Sequence, residues 1–176
     1  MNNSANPVTL RRLQLEDADV IAGWAVDPEF CHEADWTPGL PFAELQRIHQ
    51  RLIQSPPPEL IRHGAIQGGT LVGYVDLHGD EPHRREIGFV IGERRRWGRG
   101  LGRWAGTAGL DYGFEQLGLQ EIWAEALDAN HRSVRILQRL GLLETGRGGE
   151  GVFLDQPSYY RQFTITAENW ARIRMH

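Results

Sequence analysis

Residues 94–102 read Arg94-Arg95-Arg96-Trp97-Gly98-Arg99-Gly100-Leu101-Gly102, after the apolar run Glu86-Ile87-Gly88-Phe89-Val90-Ile91 and before a stretch with helical spacing. The run predicts a strand over 86–91, and the stretch predicts a helix reaching about residue 117. Glycines between them let the backbone adopt conformations that a Cβ forbids, so successive N–H groups can turn inward and cradle an anion. The helix N-terminus adds partial positive charge, and the arginines add a diffuse attraction for phosphate. No Gly-Lys-Ser/Thr follows, and the glycine spacing is not that of a dinucleotide fingerprint. The segment therefore predicts a pyrophosphate site of another kind. The alternative is close packing at a glycine turn with a solvated patch of arginines.

Downstream, residues 121–127 predict another strand, so strand, helix and strand form a crossover and imply a parallel pair. A helix over 130–140 is closed by Gly141. Strands over 142–145 and 159–165 follow, joined by the loop Gly146-Arg147-Gly148-Gly149. Upstream lie a strand over 8–15, a helix that starts at the acidic Glu16, Asp17 and Asp19 and closes at Pro28, and an irregular stretch over 31–41. A helix over 41–54 ends at Pro56-Pro57-Pro58, and a hairpin pairs 60–66 with 70–77 across Gly68-Gly69. Gly102, Gly106, Gly109 and Gly113 share one helical face, which predicts close packing on the sheet. The whole is a mixed α/β domain spanning 1–176, without repeat, linker or low-complexity tract.

With 176 residues, 19 basic and 23 acidic, the chain carries a net charge of −4. This slight acidity argues against a dedicated nucleic-acid binder. The lone Cys31 excludes a disulfide framework and a multi-cysteine zinc site, and the histidines lack metal-ligand spacing, so no metal is expected and a reducing cytoplasm is. The first residues lack the basic and apolar regions of a signal peptide, and no apolar run reaches the ~18 residues of a membrane span.

Arg95-x-x-Gly98-x-Gly100 resembles the Arg/Gln-x-x-Gly-x-Gly/Ala loop of the GNAT superfamily of acyl-CoA-dependent N-acyltransferases. Asn130-x-x-Ser133 with Leu140-Gly141-Leu142 is similar to the family's helix after the fifth strand. Glu86-Ile87-Gly88-Phe89, Trp97-Gly98-Arg99-Gly100, Leu10-Arg11-Arg12-Leu13 and Asp17-Ala18 resemble the branch of ribosomal-protein N-terminal acetyltransferases, RimJ/RimL-like. The resemblance implies a mostly antiparallel sheet whose central parallel strands splay around acetyl-CoA, with helices on both faces. Phe89, Val90 and Ile91 would pair with the pantetheine arm, the Val90 N–H would polarise the thioester carbonyl, and the segment Arg95, Arg96, Trp97, Gly98, Arg99, Gly100, Leu101, Gly102 and Arg103 would hold the pyrophosphate. Asn130 and Ser133 would also contact the cofactor.

Some family members carry a catalytic glutamate where Glu125 stands, which makes Glu125 the first candidate base and Glu86 the second. A salt bridge to an arginine is the alternative role. Leu137 replaces the family's usual tyrosine acid, leaving Ser133 as the hydroxyl that would face the departing sulfur. Capping a helix is the structural role open to Asn130 and Ser133. Cys31 and Trp36 are expected in the acceptor-side loop, Cys31 without a nucleophilic role, and Tyr159 and Tyr160 either close the other side of that mouth or belong to the core.

These features predict direct acetylation of a primary amine, foremost a protein or peptide N-terminus, with aminoglycosides or polyamines as the alternative. A non-catalytic CoA-binding module and an RNA-associated protein using residues 94–103 are readings from other classes. No membrane or nucleic-acid partner is expected. A homodimer is compatible with the resemblance, although no sequence feature shows one.

Overall fold

Alternating apolar residues place two strands back to back in the middle of a sheet and bury one face of each. These are β4 (Arg84–Ile91) and β5 (Glu121–Leu127). The computed structural model describes residues 6–175. Its sheet also contains β1 (Val8–Arg12), β2 (Leu60–Gln67), β3 (Thr70–His78), β6 (Leu143–Phe153) and β7 (Gln156–Thr166), in the order β1-β2-β3-β4-β5-β7-β6. Every neighbouring pair is antiparallel except β4–β5. That parallel pairing matches only Arg84 with Glu121, Arg85 with Ile122 and Glu86 with Trp123. Beyond Glu86 the strands part.

The crossover helix α4 (Leu101–Asp111) ends in a π-helical turn, Tyr112–Gln116. It shares one face of the sheet with α5 (His131–Arg139) and α6 (Ala167–Arg174), over a core that includes Leu110, Ile122, Phe163 and Trp170. The expected glycine face is what allows α4 to lie close. A Cβ on Gly106 would come 2.6 Å from Leu140 Cδ1, and one on Gly109 2.7 Å from Val75 Cγ1. On the other face, α1 (Asp17–Trp24) and α2 (Pro28–Glu33) bury Ile21, Trp24, Phe30 and Cys31 against Leu71 and Tyr74. Helix α3 (Phe42–Gln54) packs on α1 and contributes His49 against the Trp36 ring.

Several expectations need correction. Pro28 opens a helix instead of closing one, because the Asp27 carboxylate accepts the Glu29 and Phe30 N–H groups and proline suits the first helical position. Part of the irregular stretch 31–41 is therefore α2, and Cys31 is fully buried within it, its thiol donating to the Ala25 carbonyl at 3.5 Å. The final hairpin turns at Leu154 and Asp155, both at positive φ (49° and 61°), as a tight two-residue turn requires. Residues 146–149 are not its loop; they form bulges inside a long β6. Helix α6 was not anticipated, and Thr166 caps it by accepting the Asn169 N–H.

Gly92 follows β4 directly, and a Cβ there would fall 2.1 to 2.5 Å from the Trp24 indole. A rigid ring cannot yield as a flexible chain does. Gly92→Ala is expected to lower stability by about 1–3 kcal/mol in urea unfolding; an unchanged midpoint would contradict this packing.

Candidate active site

The geometry of the site begins with the backbone of β4. Gly92 N–H donates to Val72 of β3 at 2.9 Å, whereas the His83 carbonyl accepts from Gln120 beside β5 at 2.9 Å. Successive residues of a strand direct their backbone groups to opposite sides. Even-numbered positions, Val90 included, thus face β3, and the Phe89 and Ile91 groups face the region where β5 has diverged. This corrects the expected oxyanion donor: the Val90 N–H points into the β3 ladder, and the amides turned to the splay are those of Phe89 and Ile91.

A cleft of about 580 Å³ lies between the end of β4, the segment leading into α4, and α5. All the residues expected to contact the cofactor line it except Arg95 and Arg99. Gly98 and Gly100 have φ of 75° and 82°, conformations that a side chain strains. Gly100 precedes α4, which starts without a side-chain cap, so its first amides are available to an anion. Trp97 fixes this turn. Its Nε1–H donates to the Ile91 carbonyl at 2.7 Å, its ring contacts Phe30, and the Arg132 guanidinium lies 4.8 Å above it.

The arginine triplet is engaged in ion pairs, and of its three members Arg96 also lines the cleft. Arg94 pairs with Asp27 at 2.6 Å and also with Glu29, while Arg95 and Arg96 both pair with Glu93. These bonds hold the Asp27 and Glu93 carboxyls below their usual range, the bonds from Arg94 and from Arg95 respectively being the leading causes. Among the described residues, the cleft-lining arginines without an ion pair are Arg103, Arg135 and Arg139. Arg135 and Arg139 were missed from the sequence, although Arg132, Arg135 and Arg139 recur at helical spacing and share a face. Arg132 crosses to Glu33 of α2 at 3.0 Å.

Asn130 caps α5 by accepting the Ser133 N–H at 3.1 Å, and both residues line the cleft. Leu137, in the place of the tyrosine acid, is buried in the core. Glu86 and Glu125 stand outside the cleft lining, on the opposite face of the sheet from Ile87 and Ala124. Burial, reinforced by Glu125 and opposed by His78, pushes the Glu86 carboxyl above its ordinary range. Gln162 Nε2–H donates to Glu125 Oε2 at 3.3 Å. Burial also raises Tyr160, with Asp35, Glu125 and Glu86 adding to the effect. Tyr159 lies under Arg147 at 3.8 Å. Trp36 is part of the second core, against Phe30 and His49. Among the described residues, no group of three or more His, Cys, Asp or Glu side chains is arranged to hold a metal ion.

The pattern of the acetyltransferase (GNAT) domain matches residues 8–143. The chain belongs to the GNAT acetyltransferase family. It is 30% identical over 158 residues to the "Uncharacterized N-acetyltransferase p20" of Bacillus licheniformis, covering 84% of this chain and 88% of that one. YdaF of Bacillus subtilis, which carries a provisional name as a ribosomal N-acetyltransferase, is 31% identical over 97 residues, or 54% of this chain and 52% of that one. In fold, the acetyltransferase resembles the spermidine N-acetyltransferase of Vibrio cholerae solved with CoA and spermine. The TM-score is 0.79 at 21% identity, over 95% of this chain and 99% of that one. An aminoglycoside acetyltransferase in complex with coenzyme A gives 0.75 at 19% identity, over 95% and 99%. The protein is an acetyl-CoA-dependent N-acetyltransferase, and its sheet has the family's mixed, mostly antiparallel form with one parallel pair.

A side chain at Gly100 strains the positive φ at the mouth of the anion cradle. Gly100→Val is expected to weaken acetyl-CoA binding more than about tenfold in calorimetry while leaving the fold intact; unchanged affinity would remove the cradle from the cofactor site. Arg135→Ala with Arg139→Ala is expected to raise the Kd for acetyl-CoA and flatten its dependence on salt. Equal salt slopes in variant and wild type would show that these guanidiniums do not face the phosphates.

Proposed function

We propose that the acetyl acceptor is a primary α-amino group of a peptide or protein, acetylated directly without an acyl-enzyme. The observation that carries this reading is the uncovered strip beside the splay. Gly88 is exposed in the middle of the sheet, a Cβ there would meet nothing within 4 Å, and Glu86 and Glu125 border it on the same face. The space over Gly88 gives a chain end an approach to the thioester. An α-amino group has a pKa of about 7.7–8.0, leaving a useful neutral fraction near pH 7.

The cradle from Gly98 to Arg103, with Arg96 and Trp97 beside it, binds the pyrophosphate, and the backbone of Phe89, Val90 and Ile91 lines the pantetheine arm. One of the two amides turned to the splay, that of Phe89 or that of Ile91, receives the carbonyl oxygen as negative charge develops on it; about 6.7 Å apart along the strand, they do not share it. The amine nitrogen bonds to the thioester carbon, the carbon–sulfur bond breaks, and the electron pair leaves with sulfur. Glu125 accepts the amine proton through water, with Glu86 as the neighbouring second base. Ser133 donates a hydrogen bond to the departing sulfur, whose modest basicity removes the need for a strong acid. The products are the acetylamide and the CoA thiolate, which takes a proton from water, while the proton held by Glu125 passes to solvent, so the net products are the acetylamide and the free CoA thiol. Buried Cys31, its thiol pushed up chiefly by burial and further by Asp27, takes no part and accords with a reducing, cytoplasmic setting.

The juxtaposed Glu86 and Glu125 also favour a second acceptor class, polyamines. Thiol release against N-terminal peptides, aminoglycosides and polyamines separates the readings. Turnover with peptides is expected; turnover confined to polyamines would replace the peptide reading with the second. Glu125→Gln is expected to lower turnover by about a hundredfold or more, with little change in acetyl-CoA affinity. A variant with the wild-type rate and pH profile would exclude Glu125 as the base.

A further inference from the structure

The glycine-rich tract 146–149 lies inside β6, where a turn does not explain it, and its bulges fall opposite the candidate base. Register pairs Glu125 with Gln162 across β5 and β7, and Gln162 with Gly146 across β7 and β6. Between Arg147 and Glu150 the register of β6 shifts, and the extra residues bring Gly148 over the Glu125–Gln162 pair. A Cβ on Gly148 would come 3.1 Å from Glu125 Oε2, 3.1 Å from Tyr160 Cβ and 3.2 Å from Gln162 Nε2. Such separations are tighter than side chains ordinarily tolerate, so the missing Cβ leaves room for the carboxylate and its amide partner together. Gln162 Nε2 then holds Oε2 at 3.3 Å. Since Glu86 is level with Trp123, Gly88 is level with Glu125 across the splay, and the carboxylate borders the open strip.

We propose that Gln162 and the Gly148 bulge form a positioning clamp that fixes one oxygen of Glu125, leaving the other to the acceptor amine or its water. The clamp rests on the assignment of Glu125 as the base. Gln162 is a positioning residue: it touches neither substrate nor cofactor and acts only through the carboxylate. An amide N–H given to a carboxylate favours the ionised form, the one able to take a proton. The groups facing Glu125 are Glu86 from β4 and Tyr160 from β7, with His78 acting on Glu86 and Asp35 on Tyr160. The Glu125 carboxylate disfavours the charge of Glu86, whose carboxyl is raised chiefly by burial, whereas Gln162 holds Glu125 and not Glu86.

The test uses the whole chain with acetyl-CoA and whichever acceptor turns over in the panel above. Gln162→Leu is expected to lower kcat about tenfold, leave the KM for acetyl-CoA unchanged and move the acid limb of the kcat/KM profile to higher pH. Gln162→Glu, nearly the same shape but with another carboxyl facing Glu125, is expected to move that limb further still, which guards against a folding defect in the leucine variant. In a Glu125→Gln background, Gln162→Leu is expected to cost nothing more, because a positioning residue has no effect once its target is gone. If Glu125→Gln is slow but Gln162→Leu lowers the rate by the same factor in both backgrounds, or leaves the acid limb in place, the clamp is overturned and the base stands. If Glu125→Gln is as fast as wild type, the base assignment itself fails and takes the clamp with it.

Discussion

The site depends on a pairing that stops early. β4 and β5 run parallel, joined by a crossover through α4, and three matched positions hold them together before they diverge. In the interior of a sheet a strand's backbone groups are ordinarily consumed by its neighbours on both sides. Past Glu86 those on one side of β4 are left facing a gap, apart from the Ile91 carbonyl, which Trp97 takes. Backbone amides held by a sheet are rigid donors, so the gap suits a substrate that supplies its own amides and a carbonyl needing polarisation.

Charge is arranged so that some arginines are held in ion pairs and others line the cleft without one among the described residues. Glu93 and Asp27 occupy the triplet at 94–96, which shapes the turn before α4. Arg103, Arg135 and Arg139 come from two helices that the core already fixes, and all three line the cleft. A helix N-terminus lacking a cap faces the same space. The cleft therefore collects positive charge in a molecule whose net charge is negative.

Much of this was legible because local chemistry leaves distinct marks. The glycines at 98 and 100, the Asn130 cap and Gly141 specify backbone conformations that few residues supply, and all three features appear where the sequence placed them. Misreadings arose where one residue suits two structures. Pro28 after an amphipathic stretch suits a helix end as well as a helix start, and only the Asp27 cap decides. Gly146-Arg147-Gly148-Gly149 suits a loop as well as bulges, and the true turn, Leu154-Asp155, lacks glycine altogether. The direction of the Val90 amide depends on the parity of a ladder with β3, which no residue identity records. The ion pairs of Arg94, spanning 67 residues to Asp27, are likewise a product of the fold alone.

Helix α2 has a consequence for how such a protein can diversify. Its start is tied by Asp27 and Glu29 to Arg94 and its end by Glu33 to Arg132, while Phe30 supports Trp97 from within. Helix α2 and the glycine turn before α4 are thus one mechanical piece. Residues 28–41 are not an interchangeable cassette: a segment transplanted there would inherit the task of holding that turn in shape. Sequence changes that leave Asp27, Phe30 and Glu33 in place keep that support, which directs variation toward the strip over Gly88 and the β6–β7 side.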